Sequence, residues 1–504
     1  MDFPAGQTLR CDSFERDETV ECDVAIIGSG AGGAAAAWVL SQAGLKVLII
    51  EEGRKWEPHQ LSTKQSWALR NLYGERGTSV AQGNVYLPMP RGRAVGGSTL
   101  LNSAICFRTP AAILKKWQDE YEIPWADPAH YDPVFAEIEL AIGVAKTQPH
   151  NARAHNLIFK DGVDALKLDG DFISRNAPGC IGCGLCQLGC PVGGKGSVDR
   201  NLIPVSLEHG AALFTCALAT QVITQDGVAK GVEVYAVDPM SEDRKRRIDV
   251  KAKKVFVCAG AVGSPMLLWR TKLANSSGQV GNNLRVHTGT GVAARFDRII
   301  DLWQGVTQGY YTRIPDENAV LETFSATPEI YSIQYEEYSK PINQLRNLAS
   351  CGCMIGDVSS GTVRPHDGPK ANRSTMTYNV VDEDVRVHKK GLVQMAKIYF
   401  AAGALEVHPG VIGGGSFKSV DALEKFLVNV PVDRMSIYAS HPMGTCRMSG
   451  DKKKGVVKPT GETWDVEGLY VSDASVFPTS LGVNPQITVM STSVQIARQA
   501  LQQG

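Results

Sequence analysis

VAIIGSGAGGAAAAWVLSQAGLKVLIIE, residues 24–51, reads as an apolar strand, a glycine turn, an Ala-rich helix and a second strand ending in Glu51. That order is the signature of a dinucleotide-binding unit. Its glycines have separate tasks. Gly28 permits the sharp exit from the strand, Gly30 leaves room for backbone to approach a pyrophosphate, and Gly33 lets helix and sheet pack closely. The free N–H groups and dipole at the helix start then face the phosphates. Glu51, 18 residues after Gly33, stands near the spacing at which an acid accepts from ribose hydroxyls. Glycine also marks ordinary turns, but strand, helix, strand and acid in register make a bare turn a poor account. The unit does not encode which dinucleotide it binds.

Outward from this unit, the composition is that of a folded enzyme: 504 residues, 43% apolar and 21% charged, with 52 basic and 52 acidic side chains. At ~100–200 residues per domain the chain holds two or three domains. Its balanced charge gives no electrostatic footprint for nucleic acid or an anionic membrane. The basic run Asp243-Arg244-Lys245-Arg246-Arg247 sits between strand-like segments and reads as a solvated turn. The opening MDFPAGQTLRCDSFERDETVECD is polar and acidic, without the basic and apolar regions of a secretory signal. The longest apolar stretch, Val255 to Trp269, contains Pro265 and falls short of the ~20 residues that span a bilayer. A cytoplasmic location without a transmembrane segment is expected, with export on a partner subunit left open.

A second glycine-rich loop, Arg91-Gly92-Arg93-Ala94-Val95-Gly96-Gly97-Ser98-Thr99, lets backbone N–H groups crowd a cofactor. Residues 111–175 read as helical and mixed, with Trp117, Tyr121, Trp125 and Tyr131 at spacings that mark core. Residues 213–258 read as short strands of a small meander, and the weakly patterned residues 300–430 are assigned to substrate binding. The chain closes on a strand, tight turns and a helix. It has no second strand–GxGxxG–helix unit for a nicotinamide, so the electron donor is expected to be the substrate itself.

Twelve cysteines in a chain without a secretory signal point to thiol, redox or metal chemistry. Four of them, Cys180, Cys183, Cys186 and Cys190, fall within eleven residues. Their spacing, C-x2-C-x2-C-x3-C-P, is that of ferredoxin cluster ligands. Only one such run is present, so a fourth ligand would be Cys190 by local distortion or a remote cysteine. Tetrahedral zinc more commonly uses two separated pairs. Three readings stand: a 4Fe–4S or 3Fe–4S cluster on these cysteines, zinc, or thiols that are unligated or disulfide-paired.

Six ordered blocks carry a resemblance: GSGAGG with Glu51 and Gly53, GRAVGGSTLLN, KKVFVCAGAVGSPMLL, GNNLRVH, SHPMGTCRM around His441, and YVSDASVFPTSLGVNP ending at Asn484 and Pro485. In these the chain resembles the glucose-methanol-choline (GMC) oxidoreductases from Val24 to its end. The resemblance implies an α/β architecture: a Rossmann-like FAD-binding domain carrying an inserted α+β substrate domain. The FAD-binding domain is expected from residues 1–110, 191–300 and 431–504. Residues 111–190 and 301–430, with the cysteine-rich 180–190, are expected to form the substrate part. The resemblance further implies that Gly97, Asn102, Asp473 and Pro485 join Gly28, Gly30, Gly33 and Glu51 around FAD. It makes His441 the general base, taking the hydroxyl proton of an alcohol while hydride leaves its carbon. Asn484 takes the second active-site position, where an amide orients the hydroxyl but cannot act as a base. Some members link FAD covalently through a histidine before the motif's asparagine. Leu101 stands there, so FAD is expected to be non-covalent.

Cysteine-rich segments also occur in relatives resembling sterol and long-chain alcohol oxidoreductases, where a cluster need not follow. The favoured function is an FAD-dependent alcohol dehydrogenase passing electrons to an external acceptor, through an electron-acceptor protein or accessory subunit. An oxygen-using oxidase is its nearest variant. A lyase that keeps FAD without redox turnover, and an electron-transfer subunit, are the other classes. No motif names the alcohol.

Overall fold

A computed structural model describes residues 1–328, 344–366 and 373–503. The strand Glu18–Ile27 ends in four apolar residues, all buried, because it has parallel neighbours on both edges: Val47–Ile50 and Arg244–Val257. Beyond Val47–Ile50 lie Ala212–Thr215 and then Thr8–Arg10, also parallel. A parallel sheet covered on both faces needs such continuous apolar runs. The 14-residue strand Arg244–Val257 serves two structures. Its end pairs parallel with Glu18–Ile27 and Leu469–Val471, while its beginning pairs antiparallel with Val228–Val237, and that strand with Ala217–Gln225. The expected meander is therefore present, and Ala212–Thr215 belongs to the parallel sheet. Arg244 to Arg247 form an exposed strand end rather than the expected turn, because pairing with Val228–Val237 continues through them.

The helix Ala31–Gln42 packs against this sheet and against the C-terminal helix Gln486–Gln502. Gly33 and Gly32 set that approach. A Cβ at Gly33 would strike the Gly28 carbonyl, and one at Gly32 the Ser472 carbonyl.

The second core is a six-stranded antiparallel sheet in the order Glu406–Pro409, Gly289–Arg295, Leu348–Ile355, Ala319–Thr323, Tyr310–Arg313, Gly170–Phe172. The helices Pro149–Ala165 and Asp382–Ala401 pack on it. Packing crosses the boundaries drawn from sequence. The helices Ala111–Tyr121 and Pro128–Ala141 bury Trp117, Tyr131 and Phe135 in the first core, where the Tyr131 hydroxyl meets Thr492 at 2.8 Å. Gly289–Arg295, assigned with the first domain, lies instead in the second sheet. The sequence boundaries followed the ends of motif blocks, whereas the chain partitions by apolar faces. Among the described residues no helix is long and apolar enough to cross a membrane.

The two glycines of the first turn are expected to fail differently. Gly33→Ala forces backbone apart and should lower the unfolding midpoint of the cofactor-free protein, overpacking of this kind costing ~1–3 kcal/mol. Gly30→Ala meets nothing nearer than the Gly97 Cα at 4.0 Å and should leave that midpoint in place. Thermal unfolding of the two apo-variants checks this; equal midpoints would contradict it.

Candidate active site

The glycine turn ends in an open cradle. Gly97 has φ +53°, and a Cβ there would come within 2.9 Å of the Gly30 Cα, so two backbone loops face each other bare of side chains. Ser29 ties them together: its hydroxyl donates to Glu51 Oε2 at 2.6 Å and accepts from the Gly96 N–H at 3.1 Å. Glu51 also takes the N–H groups of Ser29 at 3.1 Å and Gly53 at 2.9 Å. Burial pushes its pKa up, against these hydrogen bonds. Within the protein, Glu51 thus shapes the turn as its first task. Asp473 forms another wall by accepting from Ser264 Oγ at 2.5 Å, Ser475 N–H at 2.7 Å and Gly260 N–H at 2.8 Å. A pyrophosphate fits such a cradle because N–H groups and a helix start face a gap that a side chain would fill.

At the far end the helix Gln486–Gln502 begins directly after Asn484 and Pro485. Asn102 Nδ2 donates to Gln486 Oε1 at 2.9 Å, and Gln486 Nε2 donates to the Ile105 carbonyl at 2.7 Å. Asn102 is thereby tied to the residue that follows Pro485.

His441 reaches this place through His287. The two rings meet edge to face with centroids 5.4 Å apart. His287 Nε2 accepts from the N–H groups of Leu481 at 2.8 Å and Gly482 at 3.0 Å, which assigns the proton of its neutral form to Nδ1. Asp357 anchors the same segments, taking Ser480 Oγ at 2.6 Å and the His287 N–H at 3.1 Å. The loop bearing Asn484 is held against His287 and, through it, beside His441. Burial pushes the His441 pKa down to about 4, so the imidazole is uncharged at neutral pH. His441 Nδ1 and Asn484 Oδ1 are buried without a protein partner. Buried polar atoms are rarely left so, and a bound molecule is the ordinary partner.

Sequence reading missed Glu322. It lies on the apolar strand Ala319–Thr323, accepts from Gln308 Nε2 at 2.8 Å, and sits within hydrogen-bonding reach of Asn484. Its Oε1 is buried and unpartnered, and burial pushes its pKa up to about 8. A lone acid in the run AVLET was the only signal available. His287 closes the quoted block GNNLRVH, but nothing in that block indicated its contact with His441.

Cys180, Cys183, Cys186 and Cys190 line one cavity, open on one side. Arg175, a buried residue, donates to Cys186 Sγ at 3.1 Å and Cys180 Sγ at 3.7 Å. The buried Lys195 ammonium donates to the carbonyls of Leu100 at 2.7 Å, Asn102 at 2.9 Å and Cys186 at 3.1 Å. Burial pushes its pKa down to about 8. Among the described residues no three His, Cys, Asp or Glu side chains converge as a single bound metal ion requires. All four cysteines are free thiols.

The chain matches the family models for the GMC oxidoreductase N-terminal part over residues 69–289 and C-terminal part over 357–493, and an NAD(P)-binding Rossmann-like model over 26–55. It is 31% identical to an uncharacterised GMC-type oxidoreductase of Mycobacterium tuberculosis, over 97% of this chain and 77% of that protein. It is 27% identical to the long-chain-alcohol oxidase FAO4B of Arabidopsis thaliana, over 95% of this chain and 67% of that one. The Aspergillus oryzae formate oxidase, solved in a study of FAD modification, superposes with a TM-score of 0.74 at 15% identity, over 97% of this chain and 99% of that one. Fold, cradle and sequence agree: the chain belongs to the GMC oxidoreductase family.

Proposed function

We propose that the chain oxidises the CH–OH group of a small-molecule alcohol to an aldehyde or ketone, with His441 as general base and non-covalent FAD in the cradle. The observation that carries this is an uncharged His441 with an unpartnered Nδ1, joined through His287 to the loop that leads to Asn484 and its unpartnered Oδ1. FAD, when bound, supplies the hydride acceptor. The protein's part begins with the alcohol oxygen, which Asn484 and His441 hold. A lone pair of the neutral imidazole takes the hydroxyl proton as hydride leaves carbon. Glu322, mostly protonated at neutral pH, adds no negative charge where an alkoxide develops. The buried His287 ring and the shielded Nδ1 of the half-buried His441 limit water at the reacting atoms.

Electrons then pass to an external acceptor, as in a dehydrogenase. The oxidase reading is favoured by the names of several relatives, the Arabidopsis long-chain-alcohol oxidases and an Acinetobacter baumannii cholesterol oxidase among them. An anaerobic screen of alcohols, followed by loss of the oxidised-flavin absorption, tests the function. Bleaching by one alcohol class is expected; a flavin that no alcohol bleaches contradicts the reading.

Two predictions concern the site. Denaturation should release all FAD, since Leu101 has no nucleophilic atom; flavin left on the precipitated chain would contradict this. His441→Ala should slow anaerobic flavin reduction by roughly 10²–10⁴-fold with FAD content unchanged, and Asn484→Ala should slow it less.

A third prediction is a pH profile. Because burial lowers the His441 pKa, the rate should hold down to pH 5 and fall only near pH 4, as the imidazole gains its proton. Because burial raises the Glu322 pKa, the rate should fall again as pH rises through about 8 and a carboxylate forms beside Asn484. Glu322→Gln, neutral throughout, should remove the alkaline limb and leave the acid one. Stopped-flow reduction across pH checks both limbs, and an alkaline limb surviving in that variant would clear Glu322 of the role.

A further inference from the structure

The hydride chemistry leaves the cysteine cavity unused. We propose that it seats a cubane iron–sulfur cluster held by Cys180, Cys183, Cys186 and Cys190. Its role as electron exit rests on the flavin reading, although the site itself does not.

Four observations converge. The spacing matches ferredoxin ligands, in which the fourth cysteine can serve a different cluster. Here Gly189 at φ +89° and Cys190 at φ +59° turn the chain back, so all four thiols line one cavity. Backbone donors are already aimed at sulfur: the Gly182 N–H lies 3.4 Å from Cys180 Sγ, and the Leu185 N–H bonds Cys183. A cluster held by four thiolates carries net negative charge, and two buried cations, Arg175 and Lys195, stand against it.

The place also suits an electron carrier. Lys195 bridges the Cys186 carbonyl to that of Asn102, so the cavity wall and the segment after the cradle's glycine loop share one ammonium. Ile181 and Val192, which line the same cavity, are exposed, an apolar margin where an acceptor can approach. The balance closes. The alcohol gives hydride, two electrons, to the flavin and a proton to His441. The reduced flavin returns both electrons singly through the cluster to two equivalents of an external one-electron oxidant, and its protons go to solvent. No bond to the cluster forms or breaks.

The full-length protein, purified without oxygen, should contain about three to four iron atoms and equal acid-labile sulfide per chain. It should also give a paramagnetic signal in either the dithionite-reduced or the ferricyanide-oxidised form. Cys183→Ser should lose iron and sulfide, keep its FAD and its alcohol-driven bleaching, and lose at least tenfold in turnover with ferricyanide. If that variant does not fold, the iron, sulfide and zinc content of the wild type decides alone. Iron-free protein after reconstitution with ferrous iron and sulfide, stoichiometric zinc, or iron retained by Cys183→Ser overturns the proposal. Iron present without bleaching by any alcohol upholds the cluster and faults only the alcohol reading.

Discussion

One buried ammonium joins the working parts of this molecule. Lys195 has three N–H donors and three carbonyl acceptors, from Leu100, Asn102 and Cys186, so a charge that would be costly in the interior is fully satisfied. The segment it grips, Leu100 to Cys106, leads from the glycine loop of the cradle to the strand Ser174–Asn176, where the Cys106 N–H donates to the Ser174 carbonyl. Arg175 grips the same segment through the Ser103 carbonyl at 2.9 Å, and Gln486 through that of Ile105. Cofactor cradle, C-terminal helix and cysteine cavity therefore share one short stretch of backbone. A small hydrophobic cluster of Ala68, Leu72, Leu100 and Leu188 seats the cysteine loop beside it.

The reacting end rests on desolvation. Among the described residues neither ring of His287 or His441 bonds a carboxylate, and burial keeps both uncharged, helped at His287 by the neighbouring His441. Glu322, the acid within hydrogen-bonding reach of Asn484, is driven the other way by the same burial and stays largely neutral. The chemistry thus starts from uncharged groups in a dry setting, where small charge displacements are felt strongly.

Much of this was legible because it is local in sequence. Gly28, Gly30 and Gly33 declare a backbone shape that no other residue allows, and the strand, helix and acid around them confirm the unit. His441 and Asn484 were found because each sits in a motif block. The rest depends on contacts between distant positions. Glu322 meets Asn484 from another sheet, and His287 gains its meaning only from the loop at Leu481 and Gly482. Arg175 and Lys195 flank the cysteine run in sequence, yet nothing in composition says that they turn inward. The domain boundaries misled for the same reason: the aromatic residues from Trp117 to Phe135 were expected to be core, but which core they join is decided in three dimensions.

The central claim is that carbon-bound hydride passes from an alcohol to the flavin with His441 already neutral. The most direct test is the rate of anaerobic flavin bleaching by a substrate alcohol carrying deuterium at the carbinol carbon, compared with the protium form. The account predicts a several-fold slowing with deuterium, unchanged between pH 6 and 7. Equal rates for the two alcohols, with bleaching still limited by the chemical step, would contradict it.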